Sequence, residues 1–183
     1  MSLTRAQIED DVLAYLYRNP AERRLILPLL QVIRNHRHGP DVVCSDCPVL
    51  MTGAVVVSNI LSVLHFFHPP TESWVLREDD VDPTSEGMLS SALKGLENAT
   101  GLKDVWIGRG GNGPLAITVS FIRANPEKNL PTQLCYSFKY LFRASSEIPL
   151  KGYEWGVARW IPLHQVRNLE LRRRIVKATR ATR

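Results

Sequence analysis

The sequence predicts an α+β fold: an α/β/α sandwich with a mixed sheet, preceded by an N-terminal helical hairpin. Three observations carry that prediction. The first 38 residues hold two capped runs of apolar residues at helical spacing. Short β-branched and alternating runs then surround a single helical stretch that ends at Gly101. The chain finishes in an amphipathic helix. A length of 183 residues suits one domain with an extension. The division is residues 1–40 for the helical extension and 41–183 for the main domain, which ends in a basic helix over about 163–183.

Thr4 to Gln7 reads as a capping box, and Ile8, Val12, Tyr15 and Leu16 follow on one helix face. Asn19-Pro20 stops that helix and starts another, with Asn as cap and Pro at the first helical position. Leu25, Leu29, Val32 and Ile33 form the second stripe, which Pro28 can kink and His38-Gly39-Pro40 ends. Ala54–Val57 and Ile60–Phe67 read as strands joined at Ser58-Asn59. Asp82-Pro83 reads as the cap of a helix over 84–99, closed by Thr100-Gly101-Leu102, where glycine suits a left-handed residue. Residues 105–108, 115–123, 134–143 and 157–161 are strand-like, and the last helix begins over 162–166 with Leu171 and Ile175 on one face.

The charge is uneven. Seven basic residues and one acid lie from Arg167 onward, so the net +5 comes from the C-terminal helix and the remainder is near neutral. That segment reads as a solvated helix face with a frayed end. It carries no aromatic residue for base stacking, which argues against nucleic acid as a partner. No apolar run reaches the roughly 18–20 residues of a membrane helix, and the N-terminus turns acidic at once, so a cytoplasmic location is expected. Three cysteines exclude a disulfide-stapled scaffold. A homodimer is left open.

Residues 91–102, SALKGLENATGL, resemble the end of a Nudix box. The resemblance extends to Trp74 ahead of the preceding loop, to Ala124-Asn125-Pro126 followed by Tyr140-Leu141-Phe142-Arg143-Ala144, and to Arg159-Trp160-Ile161-Pro162-Leu163. It implies the fold of the bacterial Nudix proteins that carry an N-terminal helical extension. The family's box glutamates correspond here to Gly95, Asn98 and Ala99. Carboxylates at spacing i, i+3, i+4 share one helix face and can gather Mg²⁺ or Mn²⁺ against a diphosphate; here one amide remains. The loop glycines become Glu78-Asp79-Asp80, the usual histidine and aspartate of the long strand become Cys135 and Ser137, and the acid before the final strand becomes Val157.

The resemblance therefore implies a Nudix-fold protein without metal-dependent diphosphate hydrolysis, repurposed as a small-molecule pathway enzyme or ligand binder, with no metal cofactor. It places the ligand between the box helix and the strands, over a floor made roomier and less polar by Gly95 and Ala99. Glu78, Asp82, Gly95, Asn98, Ala99 and Ser137 are the expected binding residues. His68, Asp79 and Asp80 are acid–base candidates, and Cys135 is a nucleophile or packing thiol. Two rival readings stand beside it. One is an active hydrolase of a nucleoside-diphosphate-like compound, holding Mg²⁺ or Mn²⁺ through the Glu78–Asp82 loop. The other is a regulatory or scaffold protein that uses the basic tail. Cys44 and Cys47 form a CxxC pair that lacks two further ligands for structural zinc. The GxGxxG over 108–113 reads as a hairpin loop, because Pro114 and a strand follow it.

Overall fold

A computed structural model describes residues 2–35, 48–108, 113–124, 131–147 and 157–180. Cys44, Cys47, Asn125-Pro126, most of the 108–113 glycine loop and the boundary at residue 40 lie outside the described residues.

The helical hairpin is α1 (Arg5–Arg18) and α2 (Arg23–Asn35). The capping box forms: the Gln7 amide N–H donates to Thr4 Oγ1, and Gln7 Oε1 accepts from the Thr4 amide at 2.7 Å. Asn19 closes α1, with its amide N–H donating to the Tyr15 carbonyl. A short 3₁₀ turn, Pro20–Glu22, leads into α2, which continues through Pro28.

The described residues form an eight-stranded mixed sheet. Its centre is β1 (Val49–Ser58), parallel to β7 (Gln133–Ala144) from Val49↔Cys135 to Ser58↔Ala144. Outside β1 lie β2 (Ser62–His68), β3 (Ser73–Val75) and β4 (Glu78–Asp80), and β8 (Ala158–Pro162) pairs with β2. The far edge of β7 holds β5 (Val105–Ile107) and β6 (Ala116–Ile122). The remaining helices are α3 (Met88–Thr100) and α4 (Leu169–Arg180).

Strand alternation sorts the core into two layers. Ala54 and Val56 of β1 join Tyr136, Phe138, Tyr140 and Phe142 of β7 against α1, α2 and α3. Val55, Val57, Val63 and Leu141 face the other way, against Leu163, Leu171 and Ile175. The sandwich and the hairpin are as the sequence predicts. The hairpin shares the first core, and Asp11 accepts a hydrogen bond from the buried Tyr140 hydroxyl at 2.8 Å.

Four local expectations differ. Ile60 does not start β2: Ile60 and Leu61 sit exposed in the turn, with Leu61 left-handed at φ 63° and its amide N–H donating to the Ser58 carbonyl. α3 starts at Met88, not 84, because Asp82 turns its carboxylate onto the Thr84 amide N–H and hydroxyl at 2.8 and 2.6 Å. Glu78–Asp80 is a strand, not a loop, since the free edge of β1 pairs with it. The last helix begins at Leu169, not within 162–166. After a 3₁₀ turn at Leu163–Gln165, Asn168 caps α4, whose Leu171 and Ile175 lie in the second core.

Candidate functional site

The four acids of the 78–82 segment do not form one cluster. In a strand, successive side chains point to opposite faces, so β4 sends Glu78 and Asp79 to different layers. Glu78 meets the Lys139 ammonium at 2.6 Å. The contact passes over Gly53, whose β1 position pairs with Glu78 on one side and Lys139 on the other. A Cβ at Gly53 would stand 3.1 Å from the Arg77 carbonyl and 3.4 Å from Glu78 Cγ, so glycine leaves room for the bridge. Lys139 Nζ also donates to Thr118 Oγ1 at 2.6 Å and Ser137 Oγ at 3.4 Å.

Asp79 turns toward α3. It accepts from Arg77 Nε at 2.8 Å and Nη2 at 2.6 Å. Its Oδ2 lies 2.7 Å from where a Cβ on Gly95 would be. The space vacated at position 95 is therefore filled by the Asp79 carboxylate, and the roomier, less polar floor expected there is absent. Asp82 pairs with Lys94, and that contact, aided by Thr84, holds its carboxyl well below the usual carboxylate range. Asp80 is exposed at the end of β4.

The donor set does not fit a hard cation. On α3, Gly95 offers no ligand, Ala99 is buried and Asn98 is exposed. The nearest carboxylate, Asp79, is engaged by a guanidinium on both oxygens. Among the described residues no three His, Cys, Asp or Glu side chains gather closely enough to hold a metal ion.

The large cleft, about 850 Å³, lies on the opposite face of the sheet, between the strands and the segment leading into α4. Its walls include Glu78, Lys139 and Thr118 at one part, His65, Trp74 and Arg159 at another, and Tyr15, Glu22 and Arg174 beyond. No α3 residue lines it, so Gly95, Asn98 and Ala99 stand apart from it. Its charged lining also departs from the apolar cavity expected. Arg174 anchors the far end: it is ion-paired with Glu22 and Glu170 and donates to the Leu115 carbonyl at 3.3 Å, tying α4 to the hairpin.

Three sequence candidates are placed elsewhere. His68 is exposed at the end of β2, with Nδ1 2.8 Å from Thr71 Oγ1, and is not in the cleft wall. Ser137 is buried beneath Lys139. Cys135 is also buried; burial pushes its thiol up, so little thiolate forms at neutral pH.

Sequence reasoning overlooked His65 and Lys139 as cleft groups. His65 is 6% exposed, and its Nδ1 lies 3.0 Å from the Val63 carbonyl. A carbonyl only accepts, so Nδ1 carries the proton and Nε2 is left as an acceptor. Among the described residues Nε2 has no partner, and no buried side-chain nitrogen or oxygen is unsatisfied, so Nε2 opens into the cleft. Burial lowers the His65 pKa, the Val63 bond partly opposes this, and Arg159 lowers it further. Arg159 is directly across from His65 on β8, and its guanidinium lies 3.9 Å from the Trp74 ring centroid. The signals were present in the sequence: a lysine inside the apolar run LCYSFKYLF, and a histidine two residues from Val63 on one strand face.

No protein-family model matches the chain, and no curated protein matches its sequence. Solved structures do. A C. elegans Ap4A hydrolase in a binary complex is 13% identical over 73% of this chain and 98% of its own, with a TM-score of 0.53. The E. coli dihydroneopterin triphosphate pyrophosphohydrolase is 9% identical over 70% and 92%, at 0.52. The M. smegmatis Nudix hydrolase RenU is 13% identical over 73% and 86%, at 0.50. The chain is a Nudix-fold protein.

Proposed function

We propose that this Nudix-fold protein binds a small molecule in the cleft between the sheet and α4, and that it does not carry out metal-dependent diphosphate hydrolysis. One observation carries the reading. The Asp79 carboxylate, held on both oxygens by Arg77, occupies the space of the side chain that Gly95 lacks. That site therefore has neither the carboxylates nor the room to bring a cation to a diphosphate. Two further features support it. Glu78, Asp79 and Asp82 are each paired with a different cation, and Glu78 and Asp79 lie on opposite faces of the sheet. The cleft of about 850 Å³ lies away from α3, and His65 in its wall is neutral with a ring nitrogen that has no partner among the described residues. Within the cleft, His65 Nε2 can serve as a base at neutral pH.

Paramagnetic broadening tests the metal half of this reading. With ¹⁵N-labelled protein, micromolar Mn²⁺ leaves the amide signals of residues 78–82 and 95–99 intact. Selective loss of those signals at micromolar Mn²⁺ overturns it.

A further inference from the structure

We infer that the His65–Arg159–Trp74 corner of the cleft is the anchoring subsite for an organic carboxylate that carries a hydroxyl or N–H donor beside its carboxylate. This rests on the reading that the cleft is the ligand site, and it names what the ligand must present.

Arg159 forms no ion pair among the described residues, although it projects from the middle of a β-ladder beside a cavity. The carboxylates in the cleft wall do not satisfy it: Glu78 is taken by Lys139, Glu22 and Glu170 by Arg174, and Glu72 is exposed. The guanidinium is instead held against the Trp74 face, and Trp74 packs on Phe67 with ring centroids 5.5 Å apart. A guanidinium over a ring face keeps its in-plane N–H fork available to donate. Such a fork matches the two oxygens of a carboxylate.

His65 sets the second requirement. It is more than nine-tenths buried, and its one free ring nitrogen accepts and does not donate. A ligand that offers only lone pairs at that point, such as a fully ionised phosphate, leaves two acceptors facing each other. A ligand hydroxyl or N–H donates to Nε2 and satisfies it, and a buried acceptor left unmatched is costly. Arg159 and His65 are cross-strand partners on neighbouring strands, so the two groups they read must be adjacent on one small molecule. The rest of the cleft, past Ile161 and Leu171 toward Arg174, leaves room for an apolar body.

Phenylacetate, mandelate and phenyl phosphate test this on the full chain, because they vary the hydroxyl and the anion on one aromatic body. Binding is read from amide and Trp-indole chemical shifts. Mandelate should bind about tenfold tighter than phenylacetate, with shifts at Trp74, His65 and Arg159. R159Q should weaken both by about tenfold or more. H65N keeps a donor for the Val63 carbonyl and should erase the mandelate advantage while leaving phenylacetate within about twofold. Arg159 is exposed, so R159Q puts no folding at risk and decides the matter if H65N does not fold. Tightest binding by phenyl phosphate, or affinity unchanged in R159Q, overturns the inference. If shifts then appear at Lys139 and Thr118 but not at this corner, the cleft reading stands and the subsite assignment fails. If no probe shifts any cleft residue, the inference is overturned, and Mn²⁺ broadening decides the metal half of the reading independently.

Discussion

Replacing Gly95 by alanine has an effect whose sign depends on Asp79. Gly95 lies inside α3 with no positive φ, so alanine there gains about 0.8–1 kcal/mol of helix propensity when nothing stands in the way. In this protein the new Cβ would meet Asp79 Oδ2 at 2.7 Å and Cγ at 3.2 Å. The carboxylate must move, and two hydrogen bonds of 2.8 and 2.6 Å hold it to Arg77. Disrupting charge-assisted bonds of this kind costs about 1.5–3 kcal/mol. Gly95→Ala should therefore destabilise the wild type by about 1–2 kcal/mol, the difference between these terms. In an Asp79→Ala background the space is free and the same substitution should stabilise by about 0.8–1 kcal/mol. The coupling, about 2–3 kcal/mol, lies in the range seen for directly contacting side chains. Urea unfolding of the four proteins measures it. If Gly95→Ala stabilises both backgrounds equally, Asp79 does not fill the space at position 95.

Other consequences are open to the same assay. The folded-state pKa of His65 lies below its ordinary value of 6.5, so the unfolded chain binds more protons between the two values; this contribution to stability is complete above the unfolded pKa and falls as pH drops through that window. His65→Gln should lose less stability than wild type between pH 8 and pH 5.5, and identical losses contradict the buried neutral imidazole. Glu78→Gln should cost more than Lys139→Met, by about 1–2 kcal/mol, because the Lys139 side chain is 9% exposed against 31% for Glu78 and the stranded ammonium has less water to turn to. Ile175→Ala should cost about 2–5 kcal/mol, and deleting 168–183 should unfold the protein, since Ile175 is fully buried and Arg174 ties α4 to the hairpin. A truncated chain with an unchanged urea midpoint would contradict that.

The fold was legible where local chemistry and tertiary demand agree. The Thr4–Gln7 box, the Asn19-Pro20 break and the Gly101 stop are local events and fall where the residues suggest, although Asn19 closes α1 and makes no side-chain cap bond to the turn that follows. β4 was not legible. Glu-Asp-Asp has poor strand propensity and becomes a strand because a neighbouring edge needs pairing partners. That single element decides much of the site, since it sends Glu78 to Lys139 and Asp79 to Gly95. The sequence displayed the lost box carboxylates but not what replaced them, because the Asp79 contact with α3 joins residues sixteen positions apart in the chain. The cleft histidine was misassigned for a similar reason. His65 and His68 are three residues apart on one strand and face opposite sides, and only the packing of Val63 with α4 identifies the enclosed side.

Turnover of a panel of dinucleoside polyphosphates and nucleoside diphosphate compounds by the purified chain, with Mg²⁺ or Mn²⁺ and with EDTA, decides whether the α3 site works as a metal centre. The displaced carboxylates and the Asp79–Arg77 pair at Gly95 predict no turnover that EDTA abolishes. Metal-dependent, EDTA-sensitive hydrolysis of any of these compounds, retained in His65→Gln, would contradict the account: the protein would then hold its cation by residues other than those considered, and the cleft over α4 would not be its working site.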